Sequence, residues 1–560
     1  MKAKDPKIAG PADASGWRAA AGEAAPWCSG ALFVAITGAL IAQGHDGLAL
    51  TLGVVGAAFL WAAVLVPQIS SRGANSVQDV LAQRLSRSVG ALSAGIVLAA
   101  LVGLLAAELT VAARAFSRVS PVAHPAALII PILLAWVLTL QPWGSRFAAV
   151  LTGLTVVALF AAIVSLSLND GLSGAFGSLV FVPGIGEIEA LEQGLREKRL
   201  VDPATFKPHV VPFLRTDVLN FAALIASLSL GLALLAQFPA GGPTPAADRV
   251  PGQRAARAAV LVIAAVMLLP PLAAAAKRAL LALFLGGVRP AALPDWMSLY
   301  RRSGALEICG TPAGDAAVLA KACGKGAWPQ GFLRWTDAQF AQDTLLFAGL
   351  DTTLAGSAIV TLFLATTILA TVWTARRITL LSEATVRADH GRFSGVILLT
   401  VMLVGAAIAF LQPADGATLM TWSASLAAAA LTPPLVGALT LGRPSPSAAI
   451  AAMLTGAIVT LVLILGSRYV PLELFAWTGF VSHAPPAVAK KLAALHDTWL
   501  AAADGPGRDA LAAQAAKLAR DNLNWFGVKP LGAGVIGLAA GGIVMLVGSI
   551  LASAGARADR

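Results

Sequence analysis

Runs of about twenty apolar residues recur along the whole chain, and they decide what kind of fold the sequence can adopt. A helix of roughly 20 such residues crosses a hydrocarbon core of ~30 Å. Among the 560 residues, 57% are hydrophobic and only 12% are charged, whereas soluble chains carry about 25% charged residues. Lipid must therefore surround most of this protein, and the sequence predicts an all-α polytopic membrane protein.

Hydropathy and turn residues together predict about twelve transmembrane helices. The predicted spans are Ala24–Gln43, Gly47–Ile69, Val89–Phe116, Ala126–Trp143, Phe147–Leu168, Val218–Phe238, Ala258–Ala276, Leu346–Ala375, Gly395–Leu411, Thr418–Leu441, Ala448–Leu465 and Leu531–Leu551. An even number of spans leaves both termini on the same side of the membrane.

The distribution of arginine indicates which side that is. Short loops on the side of the termini carry Arg72, Arg84, Arg87, Arg146, Arg249, Arg254, Arg257, Arg376, Arg377, Arg387, Arg392 and Arg443. The opposite short loops hold little beyond Arg114 and Arg118. Cytoplasmic loops are enriched in Lys and Arg, so we expect a multi-pass protein of the bacterial inner (plasma) membrane with both termini, including residues 1–23, in the cytoplasm.

Three long polar segments, 169–216, 287–343 and 466–529, then fall outside the membrane. The last contains two predicted amphipathic helices, Ala487–Ala503 and Arg508–Asn522. The middle segment contains Cys309 and Cys323, which can form a disulfide in an oxidising periplasm. Two free thiols are the alternative. Cys28 lies in the first span, where a small buried residue is its ordinary role.

Several classes of function find no support in the sequence. The net charge of +11 sits at the ends of apolar segments, as membrane topology requires, so nucleic acid is not an expected partner. The six histidines show no ligand spacing for a metal. No P-loop for nucleotide-driven transport is present, and nothing indicates an enzyme or a cofactor.

Several motifs occur in an order that resembles one family of transporters. They are Ser29-Gly-Ala-Leu-Phe-Val-Ala-Ile-Thr-Gly-Ala-Leu with Gln43-Gly-His-Asp-Gly-Leu, then Ser76-Val-Gln-Asp-Val-Leu-Ala-Gln-Arg-Leu, the Thr374, Arg387 and Asp389 register, Pro433, and Asn524-Trp-Phe-Gly-Val-Lys-Pro-Leu-Gly-Ala-Gly. Their order and spacing resemble the sodium:solute symporter family, in particular its acetate and short-monocarboxylate permeases. The chain reads as a divergent member.

The resemblance implies a five-plus-five inverted repeat of the leucine-transporter type. Its first repeat would be 24–168 and its second 217–441, with two further helices in 442–560. The first and sixth core helices of such folds are broken near the midplane. Pro26, Ser29 and Gly30 in the first span, and the Pro239–Pro243 stretch after the sixth, are helix breakers at those places.

The resemblance also implies where the solute and the ion would bind. Candidate solute or coupling residues are Cys28, Ser29, Gly30, Glu108 and Thr374. The family's sodium site uses a Ser-Thr pair on the eighth core helix, and the corresponding degenerate site comprises Ala370, Trp373, Thr374, Arg376 and Arg377. An indole offers no hard oxygen to a cation. The two arginines either occupy the space of the missing ion and supply its charge or lie at the cytoplasmic rim where the helix leaves the membrane.

Glu108 lies near the middle of the third span, where the family commonly has glutamine facing the solute. An ionisable side chain at that depth is costly, so it usually faces a cavity. Glu108 is therefore a candidate for carrying a coupling proton. The alternatives are a protonated carboxyl bonded to a neighbouring helix, or a carboxylate paired with Arg114.

The expected function is cation-coupled symport of a small organic solute, a monocarboxylate such as acetate, by alternating access. The coupling ion is H⁺ or Na⁺. The alternative is a transport-inactive relative that acts as a membrane sensor or a partner subunit, since the fold alone does not fix function. Besides solute and lipid, the sequence leaves open a small membrane subunit or a homo-oligomer.

Overall fold

The computed structural model describes residues 24 and 27–558 with interruptions. The interruptions are 75, 121, 123, 140–144, 169–180, 202–205, 236–259, 291, 310, 312–317, 320–322, 324–330, 355–356, 388–393, 442–443, 473–485, 504 and 520–522. The predicted cytoplasmic N-terminus, Pro26, Asp389 and the Pro239–Pro243 break therefore lie outside the described residues.

Helices dominate the described residues, as the apolar runs require. The helices are α1 Ile36–Gln43, α2 Leu48–Leu60, α3 Val77–Arg84, α4 Arg87–Val119, α5 Ile129–Thr139, α6 Ser145–Leu168, α7 Phe181–Glu197, α8 Val218–Leu235, α9 Val260–Leu285, α10 Asp295–Arg302, α11 Leu345–Leu354, α12 Ala358–Arg387, α13 Ser394–Leu411, α14 Gly416–Thr440, α15 Pro446–Leu461, α16 Pro486–Ala501, α17 Pro506–Ala519 and α18 Ala533–Ala558. Two short strands, β1 Leu306–Ile308 and β2 Ala338–Phe340, pair antiparallel.

Nine of the described helical segments are long and apolar enough to cross a membrane, and two shorter apolar helices accompany them. The first segment, Ala31–Ile69, reverses at the turn Gly44–Gly47. There Gly44 has φ 67°, and a Cβ added at Gly47 would lie 2.9 Å from the Leu40 Cα. This turn therefore separates two apolar helical stretches within the segment. The all-α polytopic class is confirmed.

Two predicted span boundaries are wrong. The predicted span Leu346–Ala375 is two helices, α11 and α12, and α12 continues to Arg387. The predicted end at Ala276 is also too early, because α9 continues through Lys277, which is 2% exposed. Lys277 has tertiary partners in distant parts of the chain. Its Nζ lies 3.2 Å from Nε2 of His209 and 4.2 Å from the centre of the Trp335 ring.

The polar segments between the spans contact one another on one side of the bundle. Asp46 accepts hydrogen bonds from the backbone amides of Phe213, Arg215 and Thr216 at 2.7–2.8 Å. Lys529 Nζ donates to the Arg215 carbonyl at 3.0 Å. We call this side, made of Gly44–Gly47 and the described residues within 206–217, 286–344 and 525–530, the cap face. It therefore brings parts of all three long polar segments together.

Helix α4 lies in the middle of the bundle and organises the spans around it. It packs against α12, α13 and α14. Its last turn reaches the cap face, where Arg118 forms an ion pair of 2.5 Å with the buried Asp351 of α11. The chain before its first turn lies at the other end of the bundle, where Arg84 donates to the Ala438 carbonyl at 3.2 Å. The direction of α4 thus defines the axis from the opposite face to the cap face.

A disulfide joins Cys309 and Cys323 on the cap face, with Cα atoms 5.2 Å apart and 14 residues of separation. A closed loop of about 15 residues stabilises a fold by roughly 3 kcal/mol. We expect reduction, or replacement of both cysteines by serine, to lower the melting temperature of the purified protein by several degrees. The double variant should not respond to the reductant. A wild-type protein whose melting temperature ignores the reductant would contradict the role of this bond.

Candidate functional site

The first span is bent close to its beginning. The backbone of Cys28 and Ser29 forms a bend, and a π-helical turn follows at Ala31–Ala35. Ser29 begins this helical segment, because its side-chain oxygen accepts from the Leu32 amide at 3.3 Å and its carbonyl accepts from the Phe33 amide at 3.0 Å. The first amides of any helix have no partner within it. The bend therefore leaves backbone donors free for another group.

Glu108 of α4 meets these donors. Its side chain is buried at 5% exposure, and its Oε2 accepts from the Ala31 amide at 3.4 Å. The carboxyl also interacts with the Ser29 hydroxyl and the Gly30 amide. Arg114 is not its partner, because that guanidinium donates to Gln412 Oε1 at 2.8 Å. Glu108 thus joins the third span to the bend in the first.

A cavity of about 90 Å³ opens beside Glu108. Its lining residues are Trp27, Ser29, Leu32, Leu101, Leu104, Glu108, Leu232, Leu235, Thr374, Arg377, Ile378, Leu381 and Met420. They come from the first, third, sixth, eighth and tenth of the predicted spans. Apart from four polar side chains, the wall is hydrocarbon and indole. The cavity can therefore hold a small solute with one polar end.

Helix α12 turns only one of its faces to this cavity. Thr374, Arg377 and Leu381 line it and follow a helical period. Trp373 points elsewhere, since its ring lies 4.9 Å from the Phe147 ring of α6. Arg376 lies 4.7 Å over the Trp373 ring and donates to the Leu138 carbonyl at 2.6 Å.

The residues of the predicted ion site therefore do not all face the cavity. Neighbouring helical residues point about 100° apart, so the group Ala370, Trp373, Thr374, Arg376 and Arg377 divides between two surfaces. Only Thr374 and Arg377 face the cavity. Helix α12 continues ten residues beyond Arg377 to Arg387, and of the two arginines only Arg377 lines the cavity.

Of the other predicted site residues, some line the cavity and others lie behind its wall. Ser29 lines it, whereas Cys28, 1% exposed, is not among the lining residues. Gly30 lies behind the wall, where a Cβ would meet Thr371 Cγ2 at 1.9 Å and Val111 Cγ1 at 3.2 Å. Gly30 therefore permits close contact of the first, third and eighth spans.

Close contacts between neighbouring elements also close the cavity toward the cap face. Gly38 of α1 touches the backbone of Gln342, where an added Cβ would lie 2.0 Å from the carbonyl oxygen. Gly416 of α14 lies against Val111 and donates to Asp343 at 3.0–3.1 Å. Leu101 and Leu104 extend the cavity away from Glu108 in the other direction along α4. The cavity is thus sealed on the cap side.

Asp343 stabilises this closed side of the cavity, and it is not among the site residues predicted from the sequence. It is 2% exposed and faces Asp415 and Arg114, besides the Gly416 amide. Burial and the neighbouring Asp415 raise the pKa of Asp343 to about 7. In the sequence, Asp343 is marked only by its position between a long polar segment and a span. Many aspartates that face solvent have such a position.

Stability should therefore depend on pH through Asp343. The folded protein keeps the proton between pH 4 and 7, where an unfolded aspartate is ionised, so stability falls as pH rises through that window. We expect the melting temperature to drop by several degrees between pH 5 and 8, and Asp343→Asn to make this drop smaller. Asp497→Asn, at a side chain 82% exposed, is the control. An unchanged pH profile in Asp343→Asn would contradict the assignment.

Metal and cofactor sites were not predicted from the sequence. Among the described residues, no group of three or more His, Cys, Asp or Glu side chains is placed to hold a metal ion. The oxygens nearest the cavity on α12 are hydroxyls, and Thr374 Oγ1 donates to the Ala370 carbonyl at 2.9 Å. The chemistry available in the cavity is therefore that of one carboxyl, one guanidinium and two hydroxyls.

Comparison with known proteins gives a relationship in structure only. No family model and no curated protein matches the chain. The structure is similar to a Na⁺-coupled sialic acid symporter solved in a substrate-bound, outward-open state, with 10% identity and a TM-score of 0.55 over 96% of this chain and 90% of that one. At this identity the similarity establishes a common helical fold alone and leaves the function, the solute and the ion undefined.

A second solved structure extends over the chain but superimposes poorly. It is a mutant of a manganese transporter from Eremococcus coleocola, with 13% identity and a TM-score of 0.34 over 92% of this chain and 98% of that one. A score this low supports no comparison of individual residues.

Proposed function

We propose that this protein is a secondary active transporter of a small organic solute, a monocarboxylate such as acetate. The observation that supports this proposal is the buried carboxyl of Glu108 in the wall of a cavity, at the bend of the first span. Intramembrane carboxyls that face a cavity commonly mark the path of a solute or a proton. The fold, shared with a Na⁺-coupled symporter, is of the kind that operates by alternating access.

Glu108 is proposed to carry the coupling proton. When ionised, its carboxylate accepts from the donors of the first span, as in the present arrangement. When protonated, it is neutral and does not repel an anionic solute in the same cavity. Transport of the solute together with one proton therefore couples the movement of the solute to the movement of the proton. The division of the predicted ion site between two surfaces favours H⁺ over Na⁺ as the coupling ion.

The cycle requires the cavity to open to each side in turn. The cap face is proposed to be periplasmic, since the short loops of the other face carry most of the arginines. With the cap side sealed at Gly38 and Asp343, the present arrangement is then the one that faces the cytoplasm. The protein would lie in a bacterial inner membrane with both termini inside the cell.

Uptake into proteoliposomes tests the proposal. Purified protein is reconstituted, and accumulation of labelled acetate is measured under an imposed proton gradient, a sodium gradient or neither. We expect uptake above the equilibrium level under the proton gradient only. Uptake driven by sodium alone would refute the coupling ion. No uptake from folded protein under any gradient would favour the inactive sensor or partner subunit.

A further inference from the structure

A second cavity lies where the cap face meets α1, α7 and α9, and it shares no lining residue with the cavity beside Glu108. Its volume is about 30 Å³. One water requires about 15 Å³ of such space, so a molecule of a few atoms has room in it. The wall is mostly hydrocarbon, and its polar side chains are one amine and two imidazoles. The lining residues are Leu40, Gly44, His45, Ile188, His209, Val210, Ala273, Ala274 and Lys277.

Lys277 places a buried amine in this wall. The residue is 2% exposed, and its Nζ lies 3.2 Å from His209 Nε2 and 4.2 Å from the centre of the Trp335 ring. Within the described part of the chain, the ion pair of this cluster joins His209 to Glu192, and Lys277 meets an imidazole and an indole. An ammonium is costly to bury without a paired carboxylate, and an indole face offsets only part of that cost. The site therefore favours the neutral amine, whose nitrogen has a nucleophilic lone pair.

His209 is placed to take a proton from this amine. Its Nδ1 lies 2.5 Å from Glu192 Oε1, and the same carboxylate accepts from the His209 amide at 3.1 Å, so the ring is held in place. Burial and the neighbouring Lys277 lower the pKa of His209 to about 4, and a neutral ring that donates from Nδ1 to Glu192 presents the lone pair of Nε2 to Lys277. The Ala42 carbonyl, 2.8 Å from Nε2, can accept from Nε2 after it gains a proton. The cluster thus has a nucleophile, a base and a group that orients the base.

We propose that Lys277 is a carbamylation site, at which the amine adds reversibly to carbon dioxide. The Nζ lone pair forms a bond to the carbon, one C=O electron pair moves onto an oxygen, and one amine proton passes to His209 Nε2. The products are an N-carboxylate on Lys277 and a protonated His209, so atoms and charge balance without a further reactant. After the reaction Lys277 no longer opposes the charge on His209, and the new carboxylate stabilises it.

The remaining lining residues favour carbon dioxide over a charged reagent. Leu40, Ile188 and Val210 are hydrocarbon, and an ion that enters an apolar space loses its hydration. Carbon dioxide is small and uncharged, and its addition to an amine requires no leaving group. His45 lines the same cavity, and its buried Nδ1 has no hydrogen-bond partner among the described residues, so it is available to an oxygen of the product. The inference is independent of the proposed transport, because it concerns a different cavity.

Trapping of the carbamate in the purified protein tests the inference. The protein in detergent is equilibrated at mildly alkaline pH with isotopically labelled carbon dioxide and bicarbonate. Triethyloxonium then converts a carbamate into a stable ester, which peptide mass spectrometry locates. We expect Lys277 to be trapped to several times the extent of Lys491, an exposed lysine of α16, and the label to disappear when carbon dioxide is removed before trapping. Equal trapping of the two lysines, or a label that survives removal of carbon dioxide, would overturn the inference.

A spectroscopic measurement does not require the trapping reagent to reach the cavity. Carbon-isotope NMR of the wild-type protein under labelled carbon dioxide should show a carbamate resonance. Lys277→Arg keeps a cationic side chain that does not form a carbamate, and this variant should lack the resonance. A wild-type spectrum without a carbamate resonance, or a resonance that Lys277→Arg retains, would overturn the inference.

Two histidines provide a matched pair of variants for the role of the base. His209→Gln should lower the initial rate of carbamylation at least about tenfold, since a general base contributes roughly 10²–10⁴-fold. His496→Gln makes the same change in α16, outside the cluster, and should react like the wild type. Each variant is first shown to be folded by its melting temperature, and the comparison of Lys277 with Lys491 in the wild type needs no variant. Equal rates in the two variants would overturn the role of His209 as the base.

Discussion

Replacing Glu108 with glutamine is expected to abolish proton-driven accumulation of solute in proteoliposomes. Glutamine has nearly the same shape and can still accept from the Ala31 amide, which Glu108 Oε2 does at 3.4 Å. It cannot take up or release a proton, so the step that joins solute movement to the gradient is lost. Accumulation under an inside-alkaline gradient should fall at least tenfold, to the level of protein-free vesicles.

The same variant should retain exchange of labelled for unlabelled solute. Exchange moves the loaded carrier in both directions and needs no net release of a proton, so glutamine, which resembles the protonated form, should support it. Loss of accumulation with exchange preserved separates a coupling defect from misfolding. Glu189→Gln makes the same chemical change at an exposed position of α7 and should leave both activities unchanged. Wild-type accumulation by Glu108→Gln would mean that another group carries the coupling.

The spans could be predicted from the sequence because lipid imposes a simple length requirement on each one. The predicted ends were wrong where a charged residue was satisfied by distant parts of the chain. Lys277 is the clearest case, since its partners His209 and Trp335 lie on the cap face and are 68 and 58 residues away in sequence. No local sequence pattern predicts such a partner. The length requirement also could not indicate that Leu346–Ala375 contains two helices.

Glu108 could be selected from the sequence because a carboxyl in the middle of an apolar span is rare and expensive. Its contact with the bend at Ser29 could only be suggested by resemblance. The sequence also could not show that the residues of the predicted ion site face two surfaces, because Trp373 and Thr374 are neighbours in sequence yet point to different parts of the structure. The leucines of the cavity could not be predicted at all, as they are chemically indistinguishable from those that face lipid or other spans.

Replacing Gly30 with alanine is expected to destabilise the protein and impair uptake, because the first span has no room for a methyl group at this point. The added Cβ would lie 1.9 Å from Thr371 Cγ2. Thr371 cannot easily rotate this methyl away, since a β-branched side chain in a helix has few rotamers and its hydroxyl donates to the Thr367 carbonyl at 2.8 Å. Overpacking of this kind costs about 1–3 kcal/mol, which should lower the melting temperature by a few degrees.

Thr371→Ser supplies the compensating change for Gly30→Ala, because it removes the obstructing methyl and keeps the hydroxyl. The nearest remaining atoms would be Val111 Cγ1 at 3.2 Å and the Cβ of residue 371 at 3.3 Å, which small shifts can accommodate. The double variant should therefore be more stable than Gly30→Ala alone, and the double-mutant cycle should give a coupling of about 1 kcal/mol or more. Gly153→Ala, where nothing lies within 4 Å of the added Cβ, controls for the change of glycine itself. If Thr371→Ser restores nothing, the close contact between the first and eighth spans does not decide the stability of the site.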